Sequence, residues 1–93
     1  MKNNNLVHLQ GVGDVPGIKA KELKVGMKIM WNGGGTCEVV NIEFSKTGKT
    51  LIATEKYYDG ISEKEETYER RLKSERYVAA VKPKGNWFEF IGA

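Results

Sequence analysis

The chain has one cysteine, one histidine and two prolines in 93 residues, and no long apolar run. A single cysteine excludes an intramolecular disulfide and any zinc site built on cysteines. Small secreted domains usually rely on several bridges, so the expected location is cytoplasmic. No stretch approaches the ~20 apolar residues that a membrane helix needs, and no membrane contact is expected. The opening "MKNNNLVHLQGVGD" has one lysine and no apolar core, which is not the pattern of a signal peptide. His8 stands in what reads as a tail and Cys37 among apolar β-formers, so a His/Cys nucleophile pair has no support in spacing. Glu63, Glu65, Glu66 and Glu69 sit among lysines and arginines like a solvated face. Nothing there separates two carboxylates into acid and base. These absences argue against an enzyme, and no cofactor or metal is expected.

What is present fits one small globular domain. Hydrophobic residues make up 40% of the chain and charged residues 29%, the balance of a folded chain rather than a disordered one. The net charge of +3 is mildly basic and compatible with an acidic partner.

Residues 1–17 read as an irregular lead-in, because "LQGVGDVPG" is dense in glycine and proline. Lys19 to Lys24 has room for one helical turn, with Gly26 as its C-terminal cap. From Met27 the period changes to two: Met27, Ile29 and Trp31 alternate with Lys28 and Met30, which is a strand pattern. In Thr36 to Phe44, Cys37 and Val39 share one face and Val40, Ile42 and Phe44 the other, so the apolar phase slips at Val39-Val40. A β-bulge or sharp bend produces such a slip. Ser45 to Lys49 reads as a turn with Gly48 at positive φ. Thr50 to Tyr58 reads as a strand, and Asp59-Gly60 as a turn.

Residues 61–81 carry two signals. Glu66/Arg70 and Glu69/Lys73 have the i, i+4 spacing of a helix. Tyr68, Arg70 and Leu72 alternate as in a strand, and "RYVAAV" has little helical amphipathicity. Strands at Thr67–Leu72 and Tyr77–Val81, with a tight turn at Lys73–Glu75, fit better. "KPKG" should then turn the chain into a short C-terminal strand, "NWFEFIG". The predicted class is all-β: a small SH3-like barrel of about five bent strands over residues 18–93, since closure removes exposed strand edges. Ile29, Val40, Ile42, Leu51, Ala53, Leu72 and Val78 are expected in its core.

The triplet Gly33-Gly34-Gly35 invites comparison with a phosphate-binding loop. Such a loop needs a following helix and usually a lysine at fixed spacing, and neither is here. Asn32 to Gly35 reads as a hairpin loop, which a ligand or partner backbone could approach closely. Arg70, Arg71, Lys73 and Arg76 form the densest basic group, near Tyr68 and Tyr77, with Tyr57 and Tyr58 ending a strand. Arginine interleaved with aromatics suits base stacking plus phosphate contact. The competing reading makes the tyrosines core and pairs the arginines with nearby glutamates. Cys37 reads as a buried structural thiol.

"AKELKVGMKIMWNGGGTCEVVNIEFSKTGKTLIATEKYYDG" followed by "YERRLKSERYVAAV" resembles small uncharacterised proteins of bacteriophages and prophages. "V-G-M-K-I" is similar to the beginning of KOW and Tudor-type modules. The resemblance spans Ala20 to Val81 and implies an SH3-like fold and a mobile-element origin. It carries over no site. The expected function is a non-enzymatic binding module contacting nucleic acid through Trp31, Gly33, Gly34, Gly35, Tyr57, Tyr58, Arg70, Arg71, Lys73 and Arg76. The alternatives are a host or phage protein as partner, such as a bacterial defence enzyme to be inhibited, or an oligomeric virion or assembly component. The apolar Trp87–Phe90 segment is the expected contact for a homo-oligomer.

Overall fold

The computed structural model of the chain describes residues 6–59, 64–85 and 87–92. The chain runs through β1 (Leu6–Leu9), β2 (Gly13–Pro16), β3 (Ile18–Lys19), β4 (Lys28–Met30), β5 (Thr36–Phe44), β6 (Thr50–Asp59), β7 (Lys64–Lys73), β8 (Tyr77–Lys84) and β9 (Trp87–Phe90). Among the described residues the helical elements are two single 3-10 turns, Ala20–Glu22 and Asn32–Gly34. The protein is therefore all-β, as its two-residue periodicity predicts.

β1 and β2 form a hairpin of their own. The remaining strands make one antiparallel sheet in the order β3-β8-β4-β5-β6-β7, with β9 also on β8. β8 is the hub: it pairs with β4 along Ala79–Val81, with β3 at Tyr77 and Val78, and with β9 along Val81–Lys84. The two ends of the order are drawn together just past β3 and β7. Ala20 donates its amide to the Arg76 carbonyl at 2.7 Å, and Lys21 donates to that of Ser74 at 3.0 Å. The sheet thus curls into a small SH3-like barrel.

Alternation fills the interior. Leu51 and Ala53 of β6 face Leu72 and the backbone of β7, and Ile29, Val39, Val78 and Ala80 complete the cluster with Ala20 and Leu23. Burying each large aliphatic chain here contributes about 1.5–3 kcal/mol. The phase slip read at Val39-Val40 is a bulge: Val39 pairs with Glu55 and Asn41 with Thr54, leaving Val40 as the extra residue. The slip lets Val39 and Ile42 both turn toward the core. Of the expected core, Ile29, Leu51, Ala53, Leu72 and Val78 are buried and Ile42 packs against them. Val40, the bulged residue, is only half-buried, so its assignment to the core is corrected.

Three further expectations change. The irregular lead-in is a hairpin whose Leu9 and Val15 bury against Ala79, with Val7, Met30 and Phe90 around them. Gly26 is not a helix cap. The 3-10 turn ends at Glu22 with Leu23 as its C-terminal cap, and Gly26, at φ +101°, sits in a following turn with its amide on the Val39 carbonyl. "KPK" does not turn the chain. Lys82, Pro83 and Lys84 stay in β8 opposite Glu89, Phe88 and Trp87, and Gly85 makes the turn. Residues 64–81 are strand–turn–strand, as alternation favours over helical spacing. The turn expected at Asp59-Gly60 falls partly outside the described residues, and Glu63 lies outside them.

Candidate nucleic-acid interface

Two turns meet at one end of the barrel. The β5–β6 turn, Ser45 to Lys49, is closed by the Ser45 amide on the Thr50 carbonyl and by Gly48 at φ +75°. The β7–β8 turn packs beside it through Ser74, which is 3% exposed. Its hydroxyl donates to the Gly48 carbonyl and its amide to that of Lys49 at 2.8 Å, while its own carbonyl accepts from Lys21. A buried hydroxyl left without such a partner would cost stability, so this residue fixes the two turns against each other.

The clamp gathers charge. Lys46, Lys49, Lys73 and Arg76 are all exposed around it and make no ion pair among the described residues. Glu75, the acid between Lys73 and Arg76 in sequence, is already engaged: Lys19 and Lys21 each donate to it at 2.7 Å. Those bonds hold its carboxyl down at about 2. Lys46 and Lys49 lie outside the basic group that the sequence pattern marks. Their distance in sequence from Lys73 and Arg76 hides a proximity that only the Ser74 contacts reveal.

The Arg70–Arg76 group does not form one surface. Strand alternation sends Arg71 and Lys73 to the outer face, opposite Ile52 and Thr50, and Arg70 to the inner face, opposite Ala53. There Arg70 donates Nε to Oε2 of Glu55 at 2.8 Å. Glu55 is fully buried, and its other oxygen accepts from the indole nitrogen of Trp31 at 3.0 Å. The guanidinium lies 4.0 Å from the Trp31 ring centroid, in stacking position. Trp31 and Arg70 thus satisfy a buried carboxylate from two sides. Both stand among the expected binding residues, and both are partly occupied inside the protein. The sequence signal for this arrangement is the glutamate at the inward position of "LIATE".

The glycine loop also has an internal partner. The Gly33 amide donates to the Gln10 carbonyl at 2.7 Å, and the Gln10 amide to Oδ1 of Asn32 at 2.9 Å. Gly33 and Gly34 both hold positive φ, +84° and +86°. The backbone that comes close to this loop is that of the protein's own N-terminal hairpin.

Tyr57 and Tyr68 lie on the inner face of the β6–β7 hairpin, 36% and 42% exposed, near the glutamates of its outer half rather than the basic end. Tyr58 lies in β6, and its side chain falls outside the described set. Cys37 is buried beside Tyr68; burial, then the Glu55 charge, pushes its thiol up. His8 is exposed and bonded to Asp14 at 2.9 Å. Among the described residues no cluster of histidine, cysteine and carboxylates could hold a metal ion. No helix there is long and apolar enough to cross a membrane. In β9, Phe88 is 37% exposed with Nζ of Lys28 5.7 Å from its ring centroid, whereas Phe90, and Ile91 just past the strand, pack inward. The Trp87 side chain is outside the described set.

Residues 19–50 match the family model of the elongation factor P (EF-P) KOW-like domain. The match covers roughly a third of the chain, from β3 through β5 and the Ser45–Lys49 turn. It supports an SH3-like module of KOW type. No curated protein matches the chain. No solved structure matches it either.

Proposed function

We propose that this protein is a non-enzymatic binding module that contacts the phosphate backbone of a nucleic acid through the basic end of its barrel. Lys46, Lys49, Lys73 and Arg76 make the contact, and Arg71 extends it along the outer face. The observation that carries the reading is the Ser74 clamp. It holds two basic turns together while Lys19 and Lys21 neutralise Glu75 between them. Cations held on rigid turns lose less freedom on meeting phosphates than cations on a mobile tail. The KOW-type match agrees with a small binding module. A phage or prophage source rests on the sequence resemblance alone, and the binding reading does not depend on it. Neither the buried Cys37 nor the exposed His8 lends support to catalysis.

The test is binding of single- and double-stranded DNA and RNA across a salt series. Replacing Lys46, Lys49 and Lys73 with alanine should weaken binding to all of them and reduce the salt slope by about 0.7–0.9 for each lost phosphate contact. Folding should be nearly unchanged, because these side chains are exposed. Absence of affinity for any nucleic acid at low salt would refute the reading. The exposed tyrosines and glutamates of the β6–β7 hairpin would then make a protein partner the better one.

A further inference from the structure

Among the described residues, strand β7 offers a ten-residue stretch that pairs with β6 alone. Its opposite edge meets the 3-10 turn only at and beyond its last residues, where the Ser74 and Arg76 carbonyls accept. Lys64 to Glu69 are all exposed, and past Lys56 and Thr67, where the pairing of β5 with β6 stops, the hairpin runs on as a two-stranded ribbon. Such ribbons are marginally stable in water, and a long free edge is a template for another strand.

The charges on β7 are segregated. After Lys64, the acids Glu65, Glu66 and Glu69 precede the bases Arg70, Arg71 and Lys73. We propose that β7 is a self-association surface, on which two copies of this chain pair antiparallel about a two-fold axis at Tyr68. This goes beyond the nucleic-acid reading and does not depend on it.

The charges select the register. A two-fold axis normal to the sheet keeps like faces together, so only residues on the same face stand opposite each other. With Tyr68 on the axis, Glu65 faces Arg71 of the second copy on the outer face. On the inner face Glu66 faces Arg70, whose bond to Glu55 uses only Nε. Thr67 faces Glu69, and Lys64 faces Leu72. Moving the axis to Thr67 sets Glu65 against Glu69 and Lys64 against Arg70. Moving it to Glu69 sets that residue against itself. Like charges directly opposite are destabilising, so the Tyr68 register is favoured over its neighbours.

Sedimentation equilibrium of the full chain at low and high salt tests this. The wild type should dimerise, more weakly at high salt. Glu65→Arg places two like-charge contacts in the dimer, and so does Arg71→Glu. Each should weaken it about tenfold or more. The double variant E65R/R71E reverses both pairs and should recover near wild-type association. Both positions are exposed, and circular dichroism should show each variant folded. A wild type that stays monomeric at high concentration overturns the proposal. So does a double variant no stronger than the singles. A dimer insensitive to all three variants overturns it too, and places the contact elsewhere, such as β9.

Discussion

Arg70 donates its Nε to a Glu55 carboxylate that has no exposure to solvent, at 2.8 Å across two adjacent strands. The two residues are not direct cross-strand partners: Glu55 stands opposite Tyr68, and Arg70 opposite Ala53. The bond is therefore diagonal, and it ties β7 to β6 at the point where the hairpin leaves the barrel. Trp31 closes the arrangement from the β4–β5 loop.

Removing one member of this arrangement should cost more than removing two. Arg70→Leu leaves Glu55 with only the indole donor. A fully buried pair would lose about 3–5 kcal/mol. The Arg70 side chain is 39% exposed, so solvent screening lowers the expected loss to about 1–3 kcal/mol. Glu55→Leu with Arg70→Leu removes the buried charge as well, and should recover part of it. Urea denaturation of the single and double variants measures both. A single variant as stable as the wild type would mean that the pair adds nothing.

Glu75 makes stability depend on acid pH. Its carboxyl falls from 4.5 to about 2 through the hydrogen bonds from Lys19 and Lys21. A folded-state value below the unfolded one stabilises the fold above about 4.5, and that contribution disappears as pH falls through about 2. Glu75→Gln should therefore be less stable than wild type at neutral pH, and the gap should close between those two values. Thermal melts of both proteins across that range would show it. A constant gap would assign the effect to packing instead of charge.

The parts of the fold legible in sequence are those set by local period. Leu51 and Ala53 alternate inward as read, and the phase slip at Val39-Val40 is the observed bulge. The lead-in hairpin was hidden because Gly11, Gly13 and Pro16 mask the short apolar pattern of Leu9 and Val15. The candidate site was legible as residue types but not as surfaces. Arg70 and Arg71 are neighbours in sequence and point to opposite faces. Lys49 and Lys73 are far apart in sequence and meet through Ser74. Cross-strand register decides both cases, and no local pattern encodes it.

Cys37 should behave as an unreactive thiol. It is buried on β5, and desolvation raises its thiol from the ordinary value of 9.0. The thiolate is the reacting species, so labelling at neutral pH should be slower than for a free cysteine peptide. Cys37→Ser should leave nucleic-acid affinity unchanged and cost about 1–2 kcal/mol, since a hydroxyl is harder to bury than a thiol. Labelling of the native protein faster than the peptide would contradict this.

The glycine triplet gives a graded prediction. Gly33 and Gly34 hold φ near +85°, where a side chain strains the backbone, whereas Gly35 holds φ −69° with open space around it. A Cβ on Gly34 would meet Val12 at 3.7 Å, an ordinary contact, so backbone strain is the expected cost there. Gly33→Ala and Gly34→Ala should each lose about 1–2 kcal/mol. Gly35→Ala should be neutral or slightly stabilising, because alanine narrows the unfolded ensemble. Denaturation midpoints of the three variants decide between this account and a loop kept loose for an outside ligand. A loose loop would tolerate alanine equally at all three positions. In the docked loop only the third tolerates it, since the Gln10 carbonyl holds the Gly33 amide in place.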